Sequence, residues 1–514
     1  MKKEIRNRRL TDEEFFRQRK EVMAMWPNGK EIDLNEAIEY HKSLPPSKNH
    51  ALKLQKAKQN GVVSFCSMMG TAPLERDIEC SRYLQDEGRS DFLSTIVDSM
   101  TRNLFFEVAE RELKEIEKTG RPLLNGLPVV HYGVSGARKK IAAVGLPVML
   151  WGPASDVRLV DEIGLAGGHT GASHGGAMCA FYHYTKDQPL EICIQNFQYI
   201  YRLFGYYEER GVPVQHVAQG GLACITPPSL LFAPQIIDHL LAAEQGVQNI
   251  QFCYWGAQGS LAQAVGSIFA LRKLGAEYLN RFGYNDVLTS MKAGYGTNIP
   301  FPSDYAQAFA VVCMAPIVAL LSGSEVCYIT TVDEAHKIPS MENNAASLKS
   351  ARMMLNLLKD QESDFADSKA VKIEADMVEK ETRAILDRVL DLGEGDVALG
   401  AVRAVEAGVL DQPFAASQRT ARRVMGVRDA EGSIRYLSYG NLPFTNEIKD
   451  FHAEKIAERE KAQARKVDYD TVVSDIVAIS RGSLLLDRDW QEKELSAVGV
   501  NGFEAGKGLF WVAS

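Results

Sequence analysis

Between residues 60 and 360 the chain keeps alternating two kinds of run, and that alternation limits its fold more than anything else in it. Short strand-like runs fall at 62–66, 92–97, 129–132, 148–151, 178–182, 214–217, 250–254, 286–290 and 326–330. Longer amphipathic runs separate most of them, at 74–85, 101–117, 190–209, 230–244, 261–280, 305–321 and 341–358. Strands joined by helix-length crossovers must lie parallel. Eight such units over about 300 residues predict a closed (β/α)8 barrel rather than an open sheet. Nine strand-like runs are one too many, and 129–132, with no full helix before 148, is expected to be a loop.

The flanks read differently. Thr11-Asp12-Glu13-Glu14 supplies an N-cap and early acids for a first helix, which Pro27-Asn28-Gly29 breaks. A second helix, 34–41, ends before Pro45-Pro46. Residues 1–58 are therefore expected to form an N-terminal helical segment, 59–365 the barrel and 366–514 a C-terminal α+β extension. In the extension, helices are expected at 370–392, 397–407 and 447–465, around a loop-rich stretch through Pro413, Gly426, Gly432 and Gly440.

Charge and cysteine usage exclude several functions. A net charge of −8 with no basic stripe argues against nucleic acid. No window approaches 18 uninterrupted apolar residues, so no membrane span is expected. The eight cysteines include no CxxC pair and sit in apolar surroundings, which points to reduced core residues of a cytoplasmic protein and away from zinc.

Residues 167–184, GGHTGASHGGAMCAFYHY, are the densest candidate site, with five glycines, three histidines and one cysteine. They follow a helix-like run (155–165) and lead into an alternating, strand-like run (177–184). His169 and His174 are five apart, the wrong spacing for two ligands on one helix face, so no metal is expected. Ser173 and His174 are adjacent, which rarely lets a nucleophile face its base. Polar residues at strand ends are the other candidates, because barrel enzymes build their sites there. These are Arg102, which follows Asp98 and Thr101 at a strand-to-helix junction and suits a carboxylate, then Asn125, Asp333 and Glu334. There is no P-loop, GxGxxG, HExxH or GxSxG.

Several longer stretches carry a resemblance. They are T-D-E-E-F at 11–15, W-P-N-G-K-E-I-D-L at 26–34, R-Y-L-Q-D-E-G at 82–88 and L-L-N-G at 123–126. L-L-A-A-E-Q-G-V at 240–247, G-Y-N-D-V at 283–287, V-R-D-A-E-G-S-I-R-Y-L at 427–437 and G-N-L-P-F-T-N-E-I-K at 440–449 continue it. From about residue 11 to about residue 481 the chain resembles the large (epsilon) subunit of glutamate mutase, or methylaspartate mutase. The resemblance implies a barrel that works with adenosylcobalamin, whose homolysis starts a radical carbon-skeleton rearrangement. It also implies a small cobalamin-binding subunit with an Asp-x-His-x-x-Gly motif, which this chain lacks, and self-association to a dimer within a heterotetramer.

The same resemblance marks departures. Of three arginines that read substrate carboxylates in the family, one remains as Arg102, while Met68 and Trp151 stand at the other two positions. Ser173 stands where the family has a glutamate that engages the substrate amino group, and Cys179 and His183 where it has tyrosines. On the cofactor side Gly70, Asn125 and Glu334 match, Thr330 replaces a lysine, and Pro227-Pro228-Ser229 matches. A second carboxylate buried beside Met68 and Trp151 would be unpaired and cost several kcal/mol. The expected substrate is therefore a small amino or carboxylic acid other than glutamate, with one carboxylate at Arg102, an apolar remainder against Met68, Trp151 and Cys179, and His183 or His174 as base. Two alternatives stay open, a non-catalytic paralogue that binds the cobalamin subunit and a true glutamate mutase.

Overall fold

The structure, a computed structural model, describes residues 4–255, 259–296 and 298–486. Three helices come first, α1 (Asp12–Met23), α2 (Leu34–Ser43) and α3 (His50–Gln59). The Thr11 hydroxyl accepts from the Glu14 N–H while the Glu14 carboxylate takes the Thr11 N–H, so a capping box starts α1 as its sequence predicts.

Strands and helices then alternate. They are β1 (Ser64–Ser67), α4 (Leu74–Asp86), β2 (Leu93–Ile96), α5 (Ser99–Arg102), α6 (Phe106–Thr119), α7 (Val129–Ala143), β3 (Val148–Trp151) and α8 (Arg158–Ala166). Next come β4 (Gly171–Gly175), α9 (Gly176–Tyr184), α10 (Leu190–Glu208), β5 (Gln215–Ala218), α11 (Ser229–Glu244), β6 (Asn249–Tyr254) and α12 (Leu261–Arg281). The run closes with β7 (Leu288–Ala293), α13 (Tyr305–Val312), α14 (Met314–Ser322), β8 (Val326–Ile329) and α15 (Met341–Leu358). All neighbouring strands are parallel, in the order β1-β8-β7-β6-β5-β4-β3-β2, and a parallel bridge between Cys66 and Phe92 joins the two ends. The fold is a (β/α)8 barrel.

Two runs differ from expectation. Residues 178–182, and 177–184 around them, are helical, because β4 is the short glycine-rich run just before. Gly175 and Gly176, at φ +82° and +87°, reverse the chain straight into α9. Residues 129–132 are neither strand nor loop but the first turn of α7, whose helical periodicity Gly133, at φ +60°, interrupts.

The floor of the barrel is filled by α3. Leu54 packs into the interior with Cys66, Phe92 and Met149, and the His50 ring stacks on Phe92 at 4.0 Å. Lys53, Gln55 and Lys58 bond to Asp91, Asn249 and Thr289, at the starting ends of β2, β6 and β7. Among the described residues α3 thus closes the N-terminal end of the barrel, opposite the mouth formed by the C-terminal strand ends.

After the barrel come α16 (Lys369–Leu392), α17 (Val397–Glu406), an antiparallel pair β9 (Val424–Arg428) and β10 (Ile434–Tyr439), α18 (Asn446–Gln463) and α19 (Tyr469–Val477). The hairpin fills the stretch that reads as loop-rich in the sequence. Val371, Met377, Val378, Ile385, Leu386 and Val389 form the buried stripe of α16, each worth roughly 1.5–3 kcal/mol of burial. Arg435 pairs with Glu374 and Asp429, while Gln263 of α12 bonds both Glu374 and the Ile434 carbonyl, tying the hairpin to the barrel wall. Residues 305–322 are apolar and long enough to cross a membrane, yet they pack as two barrel helices, α13 and α14.

Candidate active site

Alternate residues of each strand face inward. At the upper level these are Met68, Ile96, Trp151, Val217, Trp255 and Tyr328. Trp151 stacks on Tyr328 at 5.5 Å, and Trp255 meets both edge-on, at 5.7 and 4.5 Å. This layer is dense and apolar, with Met68 half-buried against it.

Arg102 enters from the β2 side. The Asp98 carboxylate accepts from the N–H groups of Met100 and Thr101, at 2.9 and 3.0 Å, and starts α5 directly at the strand end. Arg102 is the last residue of that short helix. Its Nε donates to Val97 O and its Nη1 to Pro153 O, both at 3.0 Å. The stem crosses Gly152, where a Cβ would lie 2.9 Å from the arginine Cδ, so a glycine there gives it room. Burial lowers the guanidinium from its ordinary value, and the Tyr184 phenol lies beside it. Among the described residues Arg102 forms no ion pair, Asp98 acting on it only at a distance, and Nη2 donates to none of them. An arginine held by two carbonyls, with one edge free of partners among the described residues, has the geometry to take a carboxylate.

The glycine-rich stretch places its residues on two sides of the wall. Ser173 faces inward from β4, fully buried, and its Oγ accepts from Gln219 Nε2 at 3.4 Å. His174 faces outward, with Nδ1 at 3.1 Å from Gly152 O and Nε2 at 2.8 Å from Asp161 of α8. Both of its nitrogens are committed to acceptors, and desolvation raises the Asp161 carboxyl. His183 on α9 accepts the Leu222 N–H on Nε2 at 2.9 Å, and burial pushes its pKa down to about 4. Neither histidine offers a free basic nitrogen to the barrel interior. Cys179 is buried on α9, its thiol pushed up by desolvation, with Sγ 2.8 Å from where a Cβ on Gly175 would lie. His169 bonds Thr95 and Gly164 O, and burial lowers its pKa to about 3.

The glycines of this stretch have a structural role of their own. Asp238 of α11 reaches the start of α9 and accepts from the Met178 N–H. A Cβ on Gly176 would lie 2.2 Å from its Oδ2. Desolvation raises the Asp238 carboxyl well above its usual range, against the hydrogen bonds from Met178 and Ala177.

Four candidates ring the mouth. Gly70, just past β1, packs so closely on Ile96 that a Cβ would lie 2.4 Å from the isoleucine Cβ, so packing alone demands glycine. Asn125 accepts the Ser99 N–H at 2.9 Å, and its amide nitrogen has no partner among the described residues. Thr330 is buried at the end of β8. Glu334 is open to water, yet surrounding protein and then Asp333 raise its carboxyl. Asp333 itself is locked by Ser340, Asn343 and Tyr305, whose hydrogen bonds outweigh its desolvation and lower it. Among the described residues no group of three or more His, Cys, Asp or Glu is arranged to hold a metal ion.

The family described as methylaspartate mutase E chain (MutE) matches residues 44–488. The glutamate mutase epsilon subunit of Desulfitobacterium hafniense (strain Y51) is 41% identical over 94% of this chain and 99% of its own length. Those of Treponema denticola and Escherichia coli O157:H7 are 39% and 36% identical, covering 93% and 94% of this chain and 98% and 99% of theirs. The chain belongs to the methylaspartate mutase E chain family. It is a mutase-type isomerase subunit.

In this member of the methylaspartate mutase family Met68, Trp151 and Ser173 face the barrel interior, and Arg102 lies just past them at Gly152 and Pro153. Cys179 is buried on α9 against Gly175, and His174 faces outward. Sequence reasoning missed Trp255, Tyr328, Tyr184, Gln219 and Lys292. The inward parity of β6 and β8 could have flagged the first two. Lys292 was lost because the seventh strand was expected to end at residue 290, whereas β7 runs to Ala293.

Proposed function

We propose that this chain is the catalytic large subunit of an adenosylcobalamin-dependent carbon-skeleton mutase whose substrate is a small acid other than glutamate. The observation that carries the reading is Arg102, a guanidinium with no ion pair among the described residues, held against Gly152 and Pro153 just past Trp151. Arg102 binds and orients one carboxylate of the acid, while the Trp151, Trp255 and Tyr328 layer keeps water from the reacting carbon.

The residues present suit the cofactor. The Glu334 carboxylate can accept from the two hydroxyls of a ribose, and the Asn125 amide nitrogen has a free donor. Glu334, Asn125, Gly70 and Thr330 are the residues that would hold its adenosyl side. When bound, the group supplies the one-electron chemistry that hydrogen abstraction requires. A small subunit carrying Asp-x-His-x-x-Gly would cover the mouth and bring most of the cobalamin contacts, in an assembly with two copies of each chain.

The test is anaerobic. The chain, a cognate small subunit and adenosylcobalamin are mixed with a panel of amino and carboxylic acids and frozen for electron paramagnetic resonance. A coupled cob(II)alamin–organic radical signal with one acid other than glutamate is the expected result. A signal with glutamate overturns the substrate part. Silence with every acid, although cofactor is bound, overturns catalysis in favour of a paralogue that only binds the cobalamin subunit.

A further inference from the structure

Lys292 lies on β7, paired with Cys253 on one side and Val326 on the other, and its side chain points into the barrel. It is 2% exposed. Its Nζ sits 4.6 Å from the centre of the Trp151 ring and 5.3 Å from that of Trp255. Among the described residues the neutral Cys253 thiol is its hydrogen-bonding neighbour, and no carboxylate reaches that nitrogen. The other groups it acts on electrostatically are the Cys66 and Cys253 thiols and the His50 ring, none of which carries a negative charge near neutral pH. Two indole faces attract a cation, but with a neutral thiol they supply no counter-charge and too few acceptors for its three N–H donors.

A buried lysine without a counter-ion is expensive and rarely kept for stability alone. The barrel holds a second cation without an ion pair among the described residues, Arg102, which is partly buried and donates to two carbonyls, and whose neighbours Gly152 and Pro153 directly follow Trp151 in the chain. Trp151 therefore stands between the two. The carboxylates near this region are otherwise engaged or peripheral. Asp98 caps α5, Asp161 faces His174 outside the wall, Asp238 caps α9, and Glu334 is at the water-exposed mouth. The interior thus offers two positive poles, and no inward carboxylate among the described residues to receive an ammonium group.

We infer that Lys292 is a second anion-binding residue of the barrel, so that the acid it takes is a small dicarboxylate without an amino group, spanning from Arg102 to Lys292 past Trp151. This inference rests on the mutase reading and extends its substrate from one carboxylate to two. Lys292 adds the charge that Met68 and Trp151 do not supply, from a different strand, and its four-carbon stem lets the ammonium follow the ligand.

The test needs neither cofactor nor turnover, so its outcome is separate from that of the radical experiment. The full chain is titrated with glutarate, butyrate and glutamate and followed by tryptophan fluorescence, which the movement of Lys292 between two indoles will change. Glutarate is expected to bind roughly 10- to 100-fold more tightly than butyrate, the range of one added charge-assisted contact, and more tightly than glutamate. In Lys292→Met that advantage should vanish while butyrate affinity stays as it was, and Lys292→Arg should restore part of it. The Met variant removes an unpaired buried charge, so a thermal midpoint at or above wild type shows that it is folded. The inference fails if no dicarboxylate binds the wild type, if glutamate binds as well as glutarate, or if Lys292→Met binds glutarate undiminished.

Discussion

The ion pair between Lys140 of α7 and Asp77 of α4 supports a quantitative prediction about the wall of the mouth. Both side chains are almost wholly buried and the Nζ–Oδ2 distance is 2.5 Å. Lys140 also donates to Ser94 O of β2 at 3.1 Å, and the other Asp77 oxygen accepts the Thr71 N–H at 3.3 Å. The pair therefore braces the turn that carries Met68 and Gly70. Removing either partner strands a buried charge, at about 3–5 kcal/mol each for Lys140→Met or Asp77→Leu. The double variant strands none. It loses the bonds to Ser94 and Thr71, about 1 kcal/mol apiece, and should be only about 2 kcal/mol less stable than wild type. The coupling in the cycle is then about 4 kcal/mol or more. Urea unfolding of the four proteins, followed by tryptophan fluorescence, measures it. A double variant that loses the sum of the two single losses would refute the reasoning.

Other consequences can be checked by the same method. The His50 pKa is lowered to about 3 by burial and then by Lys292, so the unfolded chain gains a proton below about pH 6.5 that the folded chain refuses, and stability falls as pH drops from 6.5 towards 3. By pH 5 this residue has cost about 2 kcal/mol, so His50→Phe should gain that much on wild type between pH 7.5 and 5. An equal difference at both pH values would sink the idea. Gly176→Ala places a Cβ on the Asp238 carboxylate at a backbone angle that disfavours side chains, and should cost about 3 kcal/mol or more. A midpoint within error of wild type would contradict it. His174→Ala leaves buried Asp161 without its partner and should cost about 3 kcal/mol, whereas His183→Ala, which frees one backbone N–H, should cost about 1. The reverse order would show that the outward histidine is not the structural one.

The barrel was legible because its periodicity is repeated: each strand-like run needed only to be found, and the crossovers fixed direction. Legibility failed where glycine set the geometry. Gly171, Ala172, Ser173 and Gly175 have no β-forming side chains, so β4 is invisible to propensity, and the alternating residues after it packed as a helix because Asp238, some sixty residues away, caps that helix. Arg102 could be placed because a strand end, an Asp cap and a short helix are local. Lys292 could not, because its setting depends on two tryptophans from other strands and on there being no carboxylate at its nitrogen among the described residues.

A tube corked at one end by its own third helix behaves as a flask with a single neck. If the chain acts as proposed, acid in and product out would use the same opening, between the tips of the eight strands. On that reading a partner seated on the rim would also be a stopper, and the order of events would follow: the flask filled first, closed second, and emptied only after the stopper lifts. With α3 bonded to the starting ends of three strands, loosening the cork would open a back door, and a reactive species made inside would then meet water from below.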